Sequence, residues 1–181
     1  MNAPSFRPVL AALLACAGLA IAAGDALAFE RGGSHERSIV RNEGGGFSAG
    51  RMREGQNSRG GGFTRERATT TDGAGNASST ADRSFSTAGG ASGLRQRQFR
   101  RDADGSASAG GSSSFTGANG GTAQSSGSIN RDASGNVNGS RATTATGANG
   151  TSYSGSTQVS NGSVTHSGGC TDAAGNAVAC R

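Results

Sequence analysis

The side chains best suited to contact chemistry are Arg95, Arg97, Phe99, Arg100 and Arg101, within the stretch that opens at Leu94. Four guanidiniums around one aromatic ring can grip phosphate or carboxylate bidentately and stack on flat groups. Beside Arg/Gly-rich stretches, such a cluster in the cytoplasm would point to RNA. Outside it, the polyanions to hand are lipopolysaccharide phosphates, acidic polysaccharide and extracellular DNA. Binding of this kind is blind to sequence and weakens with salt. The competing reading is a solvated basic linker that keeps a repetitive protein soluble.

The second chemistry is redox. Cys170 and Cys180 are the two thiols outside the leader, and in an oxidising compartment they make one disulfide. Closing so short a loop contributes about 3 kcal/mol on the chain-entropy account. Adding His166 as a third metal ligand produces a spacing unlike established zinc patterns. Catalysis has no support: His35 and His166 fall in different halves, and no H-E-x-x-H or phosphate-binding loop is present. A calcium loop at Asp102-Ala-Asp104-Gly105 fails because Ser113 stands where a bidentate Glu is needed. The expectation is a protein without enzymatic activity, cofactor, metal or small-molecule substrate.

The oxidising compartment follows from the leader. An apolar run from Val9 to Ala23 follows Arg7, and Ala26-Leu27-Ala28 supplies a small-x-small cleavage pattern before Phe29. Residues 1–28 therefore read as a cleavable signal peptide, and the chain as periplasmic, cell-surface or secreted, with no transmembrane span after cleavage. A lipoprotein box ending at Cys16 and an uncleaved anchor compete with that reading.

What positions the arginines and cysteines must be built from few large side chains. From Phe29 onward, Leu, Ile, Val and Phe number 14 in 153 residues, far below the roughly 20% under which disorder is the default. Charge is uneven as well: residues 29–101 carry 13 Arg against 7 acids, and residues 102–181 carry 3 Arg against 4 Asp. Residues 29–66, broken by Gly44-Gly-Gly46 and Gly60-Gly-Gly62, read as a disordered Arg/Gly-rich arm. Residues 67–114 read as a low-complexity, repeat-like region holding the basic cluster 94–101.

Residues 115–181 carry a β signal. Asp72, Asp102, Asp132 and Asp172 each open a D-x-x-G-[N/S] form, and Thr116-Gly-Ala-Asn-Gly120 returns as Thr146-Gly-Ala-Asn-Gly150. Asp at the head of a type I turn, with Gly in the left-handed region at its end, makes a three-residue hairpin loop. Asn161-Gly162 is a two-residue hairpin signal. Loops at Ala133-Ser-Gly135, Ala148-Asn-Gly150, Asn161-Gly162 and Ala173-Ala-Gly175 set a register. They put Ala145 opposite Tyr153, Val159 opposite Val164 and Cys170 opposite Val178, with Cys180 diagonal to Cys170. Every large apolar residue after 128 then falls on one face, and a one-residue slip would scatter them. The fold class expected is a largely disordered N-terminal half followed by an all-β, antiparallel meander of Thr/Ser-rich strands joined by glycine turns.

The stretch from Thr116 to Asn176 resembles repetitive Gly/Thr-rich exported proteins of Gram-negative bacteria, in which T-G-x-N-G turns alternate with Thr/Ser strands. That resemblance covers about a third of the chain and implies export but no activity. Gly73-Ala-Gly75-Asn76 is also similar to the turns of curli-type amyloid subunits, without their spaced Gln/Asn ladder. The expected role is self-association or adhesion at the cell surface or in extracellular matrix, with self (an oligomer or fibre) as partner. The alternative is a soluble periplasmic or secreted polyanion-binding protein that uses the arginine cluster.

Overall fold

The computed structural model describes residues 32–180. The leader with Cys16, the cleavage residues Ala26, Ala28 and Phe29, and Arg181 lie outside them. Eleven strands follow one another: β1 (Gly33–Arg41), β2 (Phe47–Gln56), β3 (Gly62–Thr71), β4 (Ala77–Ser86), β5 (Ser92–Arg101), β6 (Ala107–Thr116), β7 (Thr122–Arg131), β8 (Val137–Thr146), β9 (Ser152–Ser160), β10 (Ser163–Thr171) and β11 (Ala177–Val178). Each pairs antiparallel with the next, so spatial order equals chain order in one 11-stranded sheet.

One local device repeats this geometry. In eight of the turns the fourth residue is a glycine with φ between 78° and 91°, as at Gly45, Gly60, Gly90, Gly105, Gly120, Gly135, Gly150 and Gly175. Its N–H donates to the carbonyl of the turn's first residue, as from Gly135 to Asp132 at 3.0 Å, and the first residue's N–H donates to the fifth's carbonyl, as from Asp132 to Asn136 at 3.0 Å. This is a type I turn closed by a left-handed glycine, whose twist suits the flanking strands. The turn from Asp72 differs, with both Gly73 and Gly75 at positive φ. Asn161 and Gly162, at φ 45° and 87°, form the single two-residue turn among the described residues.

Side chains reinforce the turns. Asp132 Oδ1 accepts the Asn136 N–H at 2.9 Å, and Asp132 Oδ2 accepts the Asn136 amide at 2.8 Å. Asp172 and Asn176 repeat the arrangement at 2.8 and 3.0 Å. The Asn136 amide and N–H hold the Asp132 carboxyl below its ordinary value, and Asn176 and Asn76 do the same for Asp172 and Asp72.

The C-terminal register matches the sequence expectation pair for pair: Ala145 opposite Tyr153, Val159 opposite Val164, Cys170 opposite Val178. Cys170 and Cys180 form a disulfide with Cα atoms 5.3 Å apart. The N-terminal half differs from expectation. Residues 29–66, read as a disordered arm, contain β1, β2 and the start of β3, and the sheet is continuous through 67–114. The glycine runs that suggested disorder sit at the turns: Gly44, Gly45 and Gly46 in one, Gly60 and Gly61 in the next. The shortage of apolar residues is met by having no core, for no hydrophobic side chain among the described residues is buried. A single layer ordered by its backbone ladder needs no interior to fill, and it leaves both faces open.

Candidate polyanion-binding face

Residues directly opposite each other in an antiparallel ladder share a face, and successive residues alternate. Tracing the register across the strands therefore assigns every strand side chain to one of two faces. The first carries a row of basic side chains running across the strands: His35, Arg53, Arg65, Arg83 and Arg95 on β1 to β5. Two residues along each strand lies a second row: Arg37, Arg51, Arg67, Ala81 and Arg97, continuing over Gly111 and Gly127 to Arg141 on β8. Arg41, Arg101 and Arg131 stand at one end of the same face. The strand carboxylates Glu36, Glu54, Glu66 and Asp82 all point to the opposite face. That opposite face is otherwise mostly Ser, Thr, Gln and Asn, as in Gln96, Ser112, Ser126 and Ser156.

The arginine rows are bordered by apolar ones. On one side, Phe63, Phe85, Gly93 and Phe115 lie opposite one another in sequence of strands, and the row continues through Ala123 and Ala145 to Tyr153 and Cys170. On the other side lie Phe99, Ala109, Ile129, Gly139, Val159 and Val164. The Phe85 ring lies over Gly93 and meets Phe115, with ring centroids 6.3 Å apart. Phe63 covers Gly55 in the same way, and the Arg65 guanidinium sits 5.3 Å from the Phe63 centroid.

Electrostatically this face is unpaired. Among the described residues one salt bridge is present, Arg100 Nε to Asp102 Oδ1 at 2.8 Å, and Arg100 lies on the opposite face from Arg95 and Arg97. Arg51 Nε donates to His35 Nε2 at 3.2 Å, and Arg141 Nε to Ser125 Oγ at 2.9 Å, contacts that leave each charge in place. A shallow concavity runs over the face, lined by Arg53, Arg65, Arg83, Arg97, Phe99 and Arg141 among others.

The structure thus splits the expected cluster. Arg95, Arg97, Phe99 and Arg101 share the cationic face, and Arg100 does not, because residues adjacent in a strand point oppositely. It adds Arg51, Arg53, Arg65, Arg67 and Arg83, which lie within residues 29–66 and 67–114, outside the basic cluster. Their signal is parity: Arg51-x-Arg53, Arg65-x-Arg67 and Arg95-x-Arg97 alternate with Glu54, Glu66 and Gln96. His166 and Cys170 fall on this face too, beside Tyr153 and Thr157, where the His166 ring bonds the Thr157 hydroxyl at 2.9 Å. No group of His, Cys, Asp and Glu among the described residues is placed to hold a metal.

Comparison of the chain with protein-family models, with curated protein sequences and with solved structures found no match.

Proposed function

We propose that this chain is an exported, non-enzymatic protein that binds anionic polymers on the arginine face of its sheet. The observation that carries the proposal is one-sidedness: every strand carboxylate faces one way and every strand arginine but Arg100 faces the other. Arg65 opposite Arg83, and Arg83 opposite Arg95, are like-charge pairs that cost stability in the free protein. An anionic polymer laid along the row relieves that repulsion at every strand. Arginine forks grip phosphate, sulfate and carboxylate alike, so the binding selects charge density rather than sequence. Export rests on the leader, residues 1–28.

The test is binding to polyphosphate or a sulfated polysaccharide across a salt series. Affinity should fall steeply, with a log–log slope steeper than about −3 if several phosphates or sulfates are neutralised. Replacing Arg53, Arg65, Arg83 and Arg95 together by Gln should abolish it; a variant that still bound with the original slope would sink the proposal.

Self-association or adhesion is a second reading, favoured by the open edges. Among the described residues β1 has a neighbour on one side only, and β11 covers only Cys170 and Thr171 of β10. Unpaired strand edges are templates for another chain. Strand-mediated assembly should persist at high salt, where polymer binding fails.

A further inference from the structure

We propose that the polymer this face takes is single-stranded nucleic acid, lying across the strands with phosphates on the arginine rows and bases on the phenylalanine row. This rests on the polyanion reading of the same face and adds the chemical class of the ligand and its direction. The direction follows from the charges. Arg53, Arg65, Arg83 and Arg95 succeed one another from strand to strand, whereas no single strand carries more than Arg95, Arg97 and Arg101 of β5 on this face. A polymer laid along one strand would meet at most the arginines of β5; one laid across meets a guanidinium on each of β2 to β5.

The class follows from what borders the charges. Phe63, Phe85 and Phe115 stand two residues from Arg65, Arg83 and Ser113 on their strands, a step of about 7 Å, comparable with the reach from a phosphate across its sugar to the base. These rings carry no polar atom. A sugar acid rings itself with hydroxyls that need partners when they are desolvated, and these three rings offer none. The π face of a base needs none, and stacking of successive bases on aromatic side chains beside a cationic groove is how sequence-blind single-strand binders work. The rings are also held for it: Phe63 lies over Gly55 and Phe85 over Gly93, where any β-carbon would collide with them. With 37% and 42% of their surfaces exposed, both present area to solvent that a base can cover.

Beyond β5 the same face turns small. Gly111 and Gly127 form a floor between Arg97 and Arg141 with Phe99 and Ile129 beside it. That floor lets the strand continue to Arg141 without a bulky side chain in its way. At about 4.8 Å between strands, the track from Arg37 on β1 to Arg141 on β8 is about 34 Å long, enough for roughly ten stacked nucleotides at ~3.4 Å each.

The experiment is fluorescence anisotropy with labelled oligothymidylate of increasing length, using the chain with its Cys170–Cys180 bridge intact and a sulfated polysaccharide as competitor. Affinity should rise with length and level off near ten nucleotides. Single-stranded DNA should outcompete a duplex of equal length by at least tenfold, because pairing hides the base faces. The triple variant Phe63→Leu, Phe85→Leu, Phe115→Leu should lose at least tenfold for oligothymidylate and keep its affinity for the sulfated polysaccharide. Equal competition by duplex and single strand would overturn the proposal without needing any variant. Binding of the sulfated polymer with no binding of oligothymidylate would overturn it too, while leaving the polyanion reading intact. Failure to bind either polymer would remove the underlying reading itself.

Discussion

Arg65 and Arg83 stand directly opposite each other on β3 and β4, on the same face of the sheet, and neither is in a salt bridge. Opposed like charges destabilise an antiparallel pair, and β2 to β5 repeat the arrangement at Arg53 and Arg95. The free protein should therefore gain stability when this row is neutralised. Arg65→Gln with Arg83→Gln should raise the unfolding free energy at low ionic strength by about 0.5 kcal/mol per opposed pair, and the denaturation midpoint with it. The gain should shrink as salt screens the exposed charges. Denaturation of the variant and the parent at two salt concentrations checks this. An unchanged midpoint at low salt would mean the side chains splay far enough to escape one another.

Parity separates neighbours in the basic cluster. Arg97 shares the cationic face with Phe99, whereas Arg100 points the other way and is paired with Asp102 at 2.8 Å. Arg97→Gln should weaken polymer binding severalfold and lower the salt slope by about 0.7 to 0.9, the loss of one phosphate contact. Arg100→Gln should leave both affinity and slope as they were. Equal losses from the two variants would show that the cluster acts as an unstructured patch of charge rather than as one side of a strand.

The C-terminal register was legible because the loops declare their own centres. Once Ala133-Ser-Gly135 and Asn161-Gly162 are taken as turns, pairing follows by counting, and Val159 must meet Val164. The N-terminal half was hidden by variation at the first turn position. Asp72 and Asp102 announce a 30-residue spacing, but the turn headed by Thr87 falls between them, and those headed by Asn42 and Asn57 precede them, with different residues. Only the left-handed glycine persists, at Gly45, Gly60, Gly75 and Gly90, one every 15 residues. Composition misled as well: too few apolar residues to fill a core implies disorder only if the fold requires a core. The arginine face was recoverable from the alternation of Arg51, Arg53 and Glu54, but net charge averages over both faces and conceals it. Arg100 was misplaced for the same reason, since a cluster in sequence is divided between faces in a strand.

The turn carboxylates make stability depend on acid. Asp72, Asp132 and Asp172 titrate below their ordinary value because the following Asn side chain and backbone N–H groups bond the ionised form. A group whose folded pKa is depressed contributes stability that is present above its unfolded value, about 3.9 for Asp, and lost as pH falls through the folded value. The sheet should therefore hold its stability from neutral pH down to about 4 and lose it progressively below that. Asp132→Asn with Asp172→Asn should flatten this acid limb. Circular dichroism of the parent and the variant between neutral pH and pH 2 measures the difference, and superimposable curves would show that these turns do not carry the acid response.

The left-handed glycines and the disulfide should differ in reach. A β-carbon at Gly105 would meet nothing within 4 Å, but the residue sits at φ +87°, so the cost of Gly105→Ala is backbone strain alone, about 1–2 kcal/mol. Because that turn sets the register of β5 on β6, with Arg101 opposite Ala107, strain there bears on the middle of the sheet. Cys170 and Cys180 instead close the last hairpin, where β11 contributes two register pairs. Reduction removes about 3 kcal/mol of loop-closure restraint, but from a segment the other strands do not lean on. Hydrogen exchange should show reductant releasing β11 and the end of β10 while β2 to β8 keep their protection. Gly105→Ala should lower protection across β5 and β6 with the disulfide intact. If reduction instead released β2 to β8 together with β11, the meander would be a single cooperative unit sealed at its C-terminal edge, and the disulfide rather than the turns would set its stability.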